Sequence, residues 1–184
     1  MITDIVIVVA AALFIGVYVS WRAGRIDRLH ARVDMAQAAL DATLLRRSSV
    51  ALELATSGLL DPATSLLLAS AVYGTRDSTG TDRPRDLAES DLTRALRAVF
   101  SQPDFRTSMT GKEGAEELLA EVEAVAHQVF LARKFYNDVV AATRLARSRP
   151  LARVLRLSGR ARAPEFFEMD DSLVAENTGT PLSL

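Results

Sequence analysis

Arg47 raises the first chemical question in this chain. It falls on the stripe Leu29, Val33, Ala36, Leu40, Thr43, Arg47, Val50 and Leu54, where a buried guanidinium needs a partner. Glu117, Glu121, Glu123 and Asp91 are the candidates. A paired arginine at such a seam more often fixes helix register than performs chemistry. Arg133 and Asn137 stand four residues apart, with Tyr136 on the neighbouring core stripe, a spacing that bonds across to a facing helix. Glu116, Glu117, Glu121 and Glu123 offer carboxylates, but a solvated acidic face explains them without a metal or a general base. His30 and His127 have no second His three or four residues away and the chain has no cysteine, so neither reads as a metal ligand. No Gly-rich phosphate loop follows a strand and no Ser/His/Asp setting is recognisable. The expectation is no catalytic residue, no cofactor, no metal and no enzyme.

Two arginine clusters remain. Arg22, Arg25, Arg28 and Arg32 follow an apolar run, and Arg144 to Arg162 holds seven arginines and no acid, whereas Glu165 to Glu176 holds five acids and no base. Arg22, Arg25, Arg28, Arg147, Arg149 and Arg153 are candidate contacts to anionic lipid, each contributing about 1 kcal/mol near a charged leaflet. The alternative is a solvated face partly neutralised by the acidic tail. Nucleic acid is not expected as a partner, because the arginines lack interleaved aromatics and the net charge is -1.

The elements that place these residues begin with a run from Ile2 to Trp21. A spanning helix needs roughly 20 mostly apolar residues, and the run meets that with Thr3 and Asp4 at headgroup level. Ile5, Val9, Leu13, Val17 and Trp21 mark the expected anchor. Arginines follow the run rather than precede it and no small-x-small cleavage site is present, so the segment reads as retained. Lys/Arg excess on its C-terminal side places the domain in the cytoplasm, on a single-pass cell-membrane protein. Gly16 alone does not argue for helix dimerisation.

Beyond Trp21 the helix period continues to about Ser57, with Gly58 as its stop and Asp61-Pro62 as N-cap and first residue of the next helix. Leu66, Leu67, Leu68, Ala71 and Val72 follow, then a surface loop from Gly74 to Arg85. Leu87, Leu92, Ala95, Leu96, Val99 and Phe100 define a third helix from about Asp86, closed around Pro103 and Gly111. Leu118, Val122, Val125, Val129, Ala132, Tyr136, Val139 and Thr143 repeat the four-three spacing of a fourth helix from about Lys112 to about Arg147. A short amphipathic turn from Leu151 to Leu157 is expected next. The predicted fold is all-α: an N-terminal transmembrane helix (1–21) continuing into an up-and-down four-helix bundle (22–168), with an acidic, mobile tail (169–184). The alternative joins the second and third helices into one interrupted helix of a three-helix bundle.

The residues also resemble the LemA family. Leu40, Asp41, Leu44, Leu45, Arg46 and Arg47 are similar to its Leu-x-x-Arg region, and Pro103-Asp104-Phe105 to its Pro-Asp-Leu segment. Ala132-Arg133-x-x-Tyr136-Asn137-x-x-Val140, with Glu121 or Glu123 upstream, resembles its Ala-Arg-x-x-Tyr-Asn-x-x-Val signature, and Pro150 and Phe166-Phe167 echo its closing segment. The sequence departs at Ser48-Ser49-Val50-Ala51, and its second helix is shorter than typical, as in a divergent member. The resemblance implies a membrane helix joined to a helical bundle, with no established catalytic activity. Function is expected to be that of an interaction or scaffold protein binding lipid or an unidentified protein partner. The alternative is a membrane-stress sensor working through the arginine-rich end. The same stripes serve homo-oligomer formation equally well.

Overall fold

In the computed structural model, residues 2–77, 84–148 and 163–170 are described. Five helices follow one another: α1 (Ile2–Thr56), α2 (Pro62–Asp77), α3 (Arg85–Phe100), α4 (Phe105–Met109) and α5 (Ala115–Ser148). Among the described residues there is no strand, and no helix is long and apolar enough to cross a membrane. The run expected to do so includes residues 8, 11, 12, 15 and 19, whose side chains lie outside the description.

The chain divides into two compact units, one holding Met1–Ala38 and Phe135–Phe166, the other Ala39–Lys134 and Phe167–Leu184. In the second, Val50, Leu54, Leu68, Val72, Leu92, Leu96, Val99, Phe105, Met109, Leu119, Val122 and Val125 form one core. Full burial of each leucine contributes about 1.5–3 kcal/mol. Helix directions follow from the residues that meet. Arg46 reaches Glu121 while Lys112 Nζ donates to the Leu59 carbonyl, so α1 and α5 run antiparallel there. Asp41 meets Arg85 and Arg47 meets Glu89 and Thr93, so α1 and α3 run parallel. Gln102, just beyond α3, donates to Thr64 at the start of α2. That contact folds α2 and α3 back on each other and removes the three-helix alternative.

Local chemistry sets the boundaries. Gly58 takes φ 75°, the left-handed conformation that ends α1 without a Cβ penalty. Asp61 Oδ1 accepts from the amides of Ala63 and Thr64, closing the N-terminus of α2 as the Asp-Pro pair predicts. Hydrogen bonds from Thr64 and Ala63 hold the Asp61 carboxyl below its ordinary value.

Several boundaries differ from expectation. Helix α2 continues through Gly74 to Asp77, because a single mid-helix glycine costs only about 1 kcal/mol and the buried Val72 and Thr75 hold the turn around it. The rest of the expected loop, 78–83, lies outside the described residues. Leu87 is exposed, since the α3 core face turns through Ala88, Leu92 and Ala95 instead. The breaker region holds a five-residue helix, α4, which buries Phe105 and Met109, and α5 starts at Ala115 after Gly114 at φ 72°. Met169, placed at the start of the mobile tail, is buried, and the Asp170 amide donates to Ser90 Oγ at 3.0 Å. The apolar side chain gives the segment something to lose by leaving. The turn expected at 151–157, Pro150 and residues 171–184 lie outside the described residues.

In the first unit, Val33 and Ala36 of α1 and Tyr136, Val140 and Thr143 of α5 are buried. Toward the start of α1 burial ends: Ile5, Val9, Leu13, Val17 and Trp21 are all exposed.

Candidate functional site

In the second unit, the polar group that the apolar stripe singled out is held by several hydrogen bonds. Arg47 retains 5 % of its surface and is enclosed between α1 and α3. Its Nη2 donates to Glu89 Oε2 at 2.5 Å and to the Glu89 carbonyl at 3.0 Å, and its Nη1 donates to Thr93 Oγ1 at 3.0 Å. Thr93 Oγ1 in turn donates to the Glu89 carbonyl at 3.2 Å. Burial lowers the Arg47 pKa from its ordinary value, against the opposing pull of the Glu89 charge and hydrogen bond. Arg47 Nε is buried and has no hydrogen-bond partner. Such an ion pair is weak evidence for stability and better suited to fixing which helix faces meet.

At the next residue of α1, Ser48 Oγ and Thr75 Oγ1 lie 3.1 Å apart. Thr75 donates to the Val72 carbonyl, which leaves Ser48 as donor to Thr75. Together these groups form a polar seam through an apolar core, bonding α1 to both α2 and α3.

Arg47's partner is a correction. Glu121 pairs with Arg46 at 3.2 Å, Glu123 with Arg106 at 2.5 Å and Asp91 with Arg94, while Glu117 is exposed. Glu89 was overlooked, although a signal for it existed. Glu89, Thr93 and Leu96 share one face of α3 at four- and three-residue spacing, so a carboxylate on the α3 core face was readable beside the arginine on that of α1.

The Arg133, Tyr136 and Asn137 motif lies on α5, and the division between the two units falls inside it, between Lys134 and Phe135. Arg133 and Asn137 are half-buried, and Tyr136 is buried with its hydroxyl donating to the Glu165 carbonyl at 2.9 Å. The motif's aromatic thus anchors the chain's closing segment. Phe166 joins it there, with the Arg144 guanidinium 5.1 Å from its ring centroid.

Of the residues expected to contact lipid, Arg28 is exposed. Arg147 is half-buried, its Nη1 3.1 Å from His30 Nε2. A guanidinium only donates, so the contact is a hydrogen bond when that ring nitrogen is the acceptor. The side chains of Arg22 and Arg25, and the whole of Arg149 and Arg153, lie outside the described residues. Among the described residues no group of three or more His, Asp or Glu is placed to hold a metal ion. No protein-family model matches the chain, and neither a curated protein nor a solved structure does so.

Proposed function

We propose that this chain is a divergent LemA-like protein: a single-pass membrane helix continuing into an up-and-down four-helix bundle that acts on the cytoplasmic surface as a non-enzymatic interaction or scaffold protein. The observation that carries the reading is the contrast along α1. Its Leu40–Leu54 portion buries an apolar stripe, whereas the side chains of Ile5, Val9, Leu13, Val17 and Trp21 stand exposed on a helix continuous with it. Such a surface is costly in water and suited to lipid. The ion pairs of Glu121 and Glu123 with arginines also favour a structural role for the acidic face over general acid–base chemistry. Carbonate extraction of native membranes tests the anchor: retention in the pellet is expected, and release overturns it. A reporter fused after Leu184 tests the side, with activity confined to a cytoplasm-dependent reporter expected. Affinity capture with the anchor intact then identifies the partner.

A second reading, a membrane-stress sensor or regulator, is favoured by the Arg147–His30 contact, which ties the arginine-rich end of α5 to α1 within one unit. Lipid or a partner competing for those arginines changes the packing there. On this reading the acidic tail acts as a latch, and a chain truncated after Phe167 binds anionic liposomes more tightly than the full chain at low salt. Equal binding removes the latch.

A further inference from the structure

Helix α2 carries no charged side chain from Pro62 to Thr75. Thr64, Leu68, Val72 and Thr75 form its buried side, so helical spacing turns Leu66, Ser70 and Tyr73 outward as a ridge. Beside the ridge runs a groove of about 440 Å3, lined by Leu67 and Gly74 of α2 and by Ala88, Ala95 and Ala98 of α3. Leu87 falls on the same α3 stripe as the groove residues Asp91, Arg94 and Ala98. Leu66, Leu67, Tyr73 and Leu87 are between 51 % and 72 % exposed. Single exposed apolar side chains are ordinary, whereas four on one face bordering a groove mark an interaction surface.

The polar groups of this face need no partner from outside. Asp91 pairs with Arg94, and the Ser70 hydroxyl donates to the Leu67 carbonyl. Covering them strands neither a charge nor that donor, and the uncharged ridge gives a charged peptide or a nucleic acid nothing to recognise. Ridge and groove lie side by side, the arrangement that a two-fold axis makes complementary to itself, the ridge of each copy entering the groove of the other. With α2 set antiparallel to its counterpart about Ser70, Leu66 comes opposite Gly74 of the second copy and Leu67 opposite Tyr73, so a branched side chain meets the position that lacks one. Helices α2 and α3 have 16 residues each. At about 1.5 Å per residue and about 10 Å width they present a face of about 24 by 20 Å. Two copies then bury about 1,000 Å2 in total, the size at which specific but reversible interfaces begin.

We propose that the α2/α3 face of the second unit is a homodimer surface on which a second copy of this chain packs about a two-fold axis at Ser70. The surface belongs to α2 and α3 alone and is independent of whether α1 enters a bilayer.

The chain has no cysteine, so a single introduced thiol reports on one position. Ser70→Cys places a thiol at the axis, where it meets its own counterpart, and Ala124→Cys, exposed on α5, serves as control. The full chain is purified in mild detergent at micromolar concentration and treated with a short bismaleimide. Pairing about the axis raises the effective thiol concentration toward millimolar, so covalent dimer is expected to form at least about tenfold faster from Ser70→Cys than from Ala124→Cys. Adding Leu66→Asp with Leu67→Asp is expected to bring Ser70→Cys down to the control rate, as is Tyr73→Lys. All three side chains are more than half exposed, and circular dichroism checks that the helices persist; should the double variant unfold, Tyr73→Lys carries the test alone. Equal rates for Ser70→Cys and Ala124→Cys overturn the proposal. So does fast cross-linking that ignores these substitutions, which assigns the contact to another surface. Protection of Ser70→Cys from a monofunctional maleimide without any dimer product also overturns it and assigns the face to a different occupant.

Discussion

Two stretches of α1 differ both in how apolar they are and in fate. From Leu40 to Leu54 one stripe, Leu40, Leu44, Val50, Ala51 and Leu54, is buried together with Arg47, while Leu45 off that stripe is exposed. From Ile5 to Trp21 apolar side chains occur on every face, and those described are exposed. A stripe is a request for one partner on one side, whereas an all-round apolar surface asks for an apolar surrounding. Period and mean hydropathy both separate the two.

The sharpest way to break this contrast lies in the seam. Glu89→Ala leaves the Arg47 guanidinium buried without its carboxylate, and a loss of about 3–5 kcal/mol is expected, read from urea unfolding followed by circular dichroism. Replacing both partners, Arg47→Met with Glu89→Leu, is expected to restore most of that stability while weakening the preference for one helix register.

Matched truncations in the two stretches come next. Leu54→Ala, at a site with no exposed surface, is expected to cost about 2–5 kcal/mol. Leu13→Ala, largely exposed, is expected to leave unfolding of the bundle within about 0.5 kcal/mol of the parent. Leu13→Asp with Val17→Asp is expected instead to release the protein from membranes during carbonate extraction. A large stability loss from Leu13→Ala would dissolve the comparison. A smaller effect belongs to Tyr136→Phe, which deletes the hydroxyl bonded to the Glu165 carbonyl and is expected to cost about 1 kcal/mol, with faster proteolysis near residue 165 as its local signature.

The smallest effect is at Asp61. Its carboxyl titrates below its ordinary value of 3.8 in the folded chain, so its contribution is present above that value and disappears as pH falls through the lowered folded one. Stability of the parent over Asp61→Asn is expected to shrink between neutral pH and pH values below about 4, measured by paired thermal melts.

Much of this architecture was readable because it depends on neighbours along the chain. Asp61-Pro62 and Gly58 act within one turn, and the stripes of α1 and α5 need only helical spacing to emerge. What escaped depends on distant elements. The pairing of Arg47 with Glu89, and not with Asp91 two residues later, is decided by how α3 is rotated against α1, which neither helix specifies alone. The exposure of Leu87 has the same origin. The short helix α4 is missed for another reason: five residues carry too few turns for a period, and what holds them is the burial of Phe105 and Met109. Met169 escaped because acids surround it and composition outweighed one aliphatic side chain.

The Tyr136 hydroxyl fastens to main chain at position 165, and main-chain oxygen is the same for every amino acid. Such a clasp is indifferent to which side chain stands at 165, so Glu165→Ala is expected to leave it intact where Tyr136→Phe removes it.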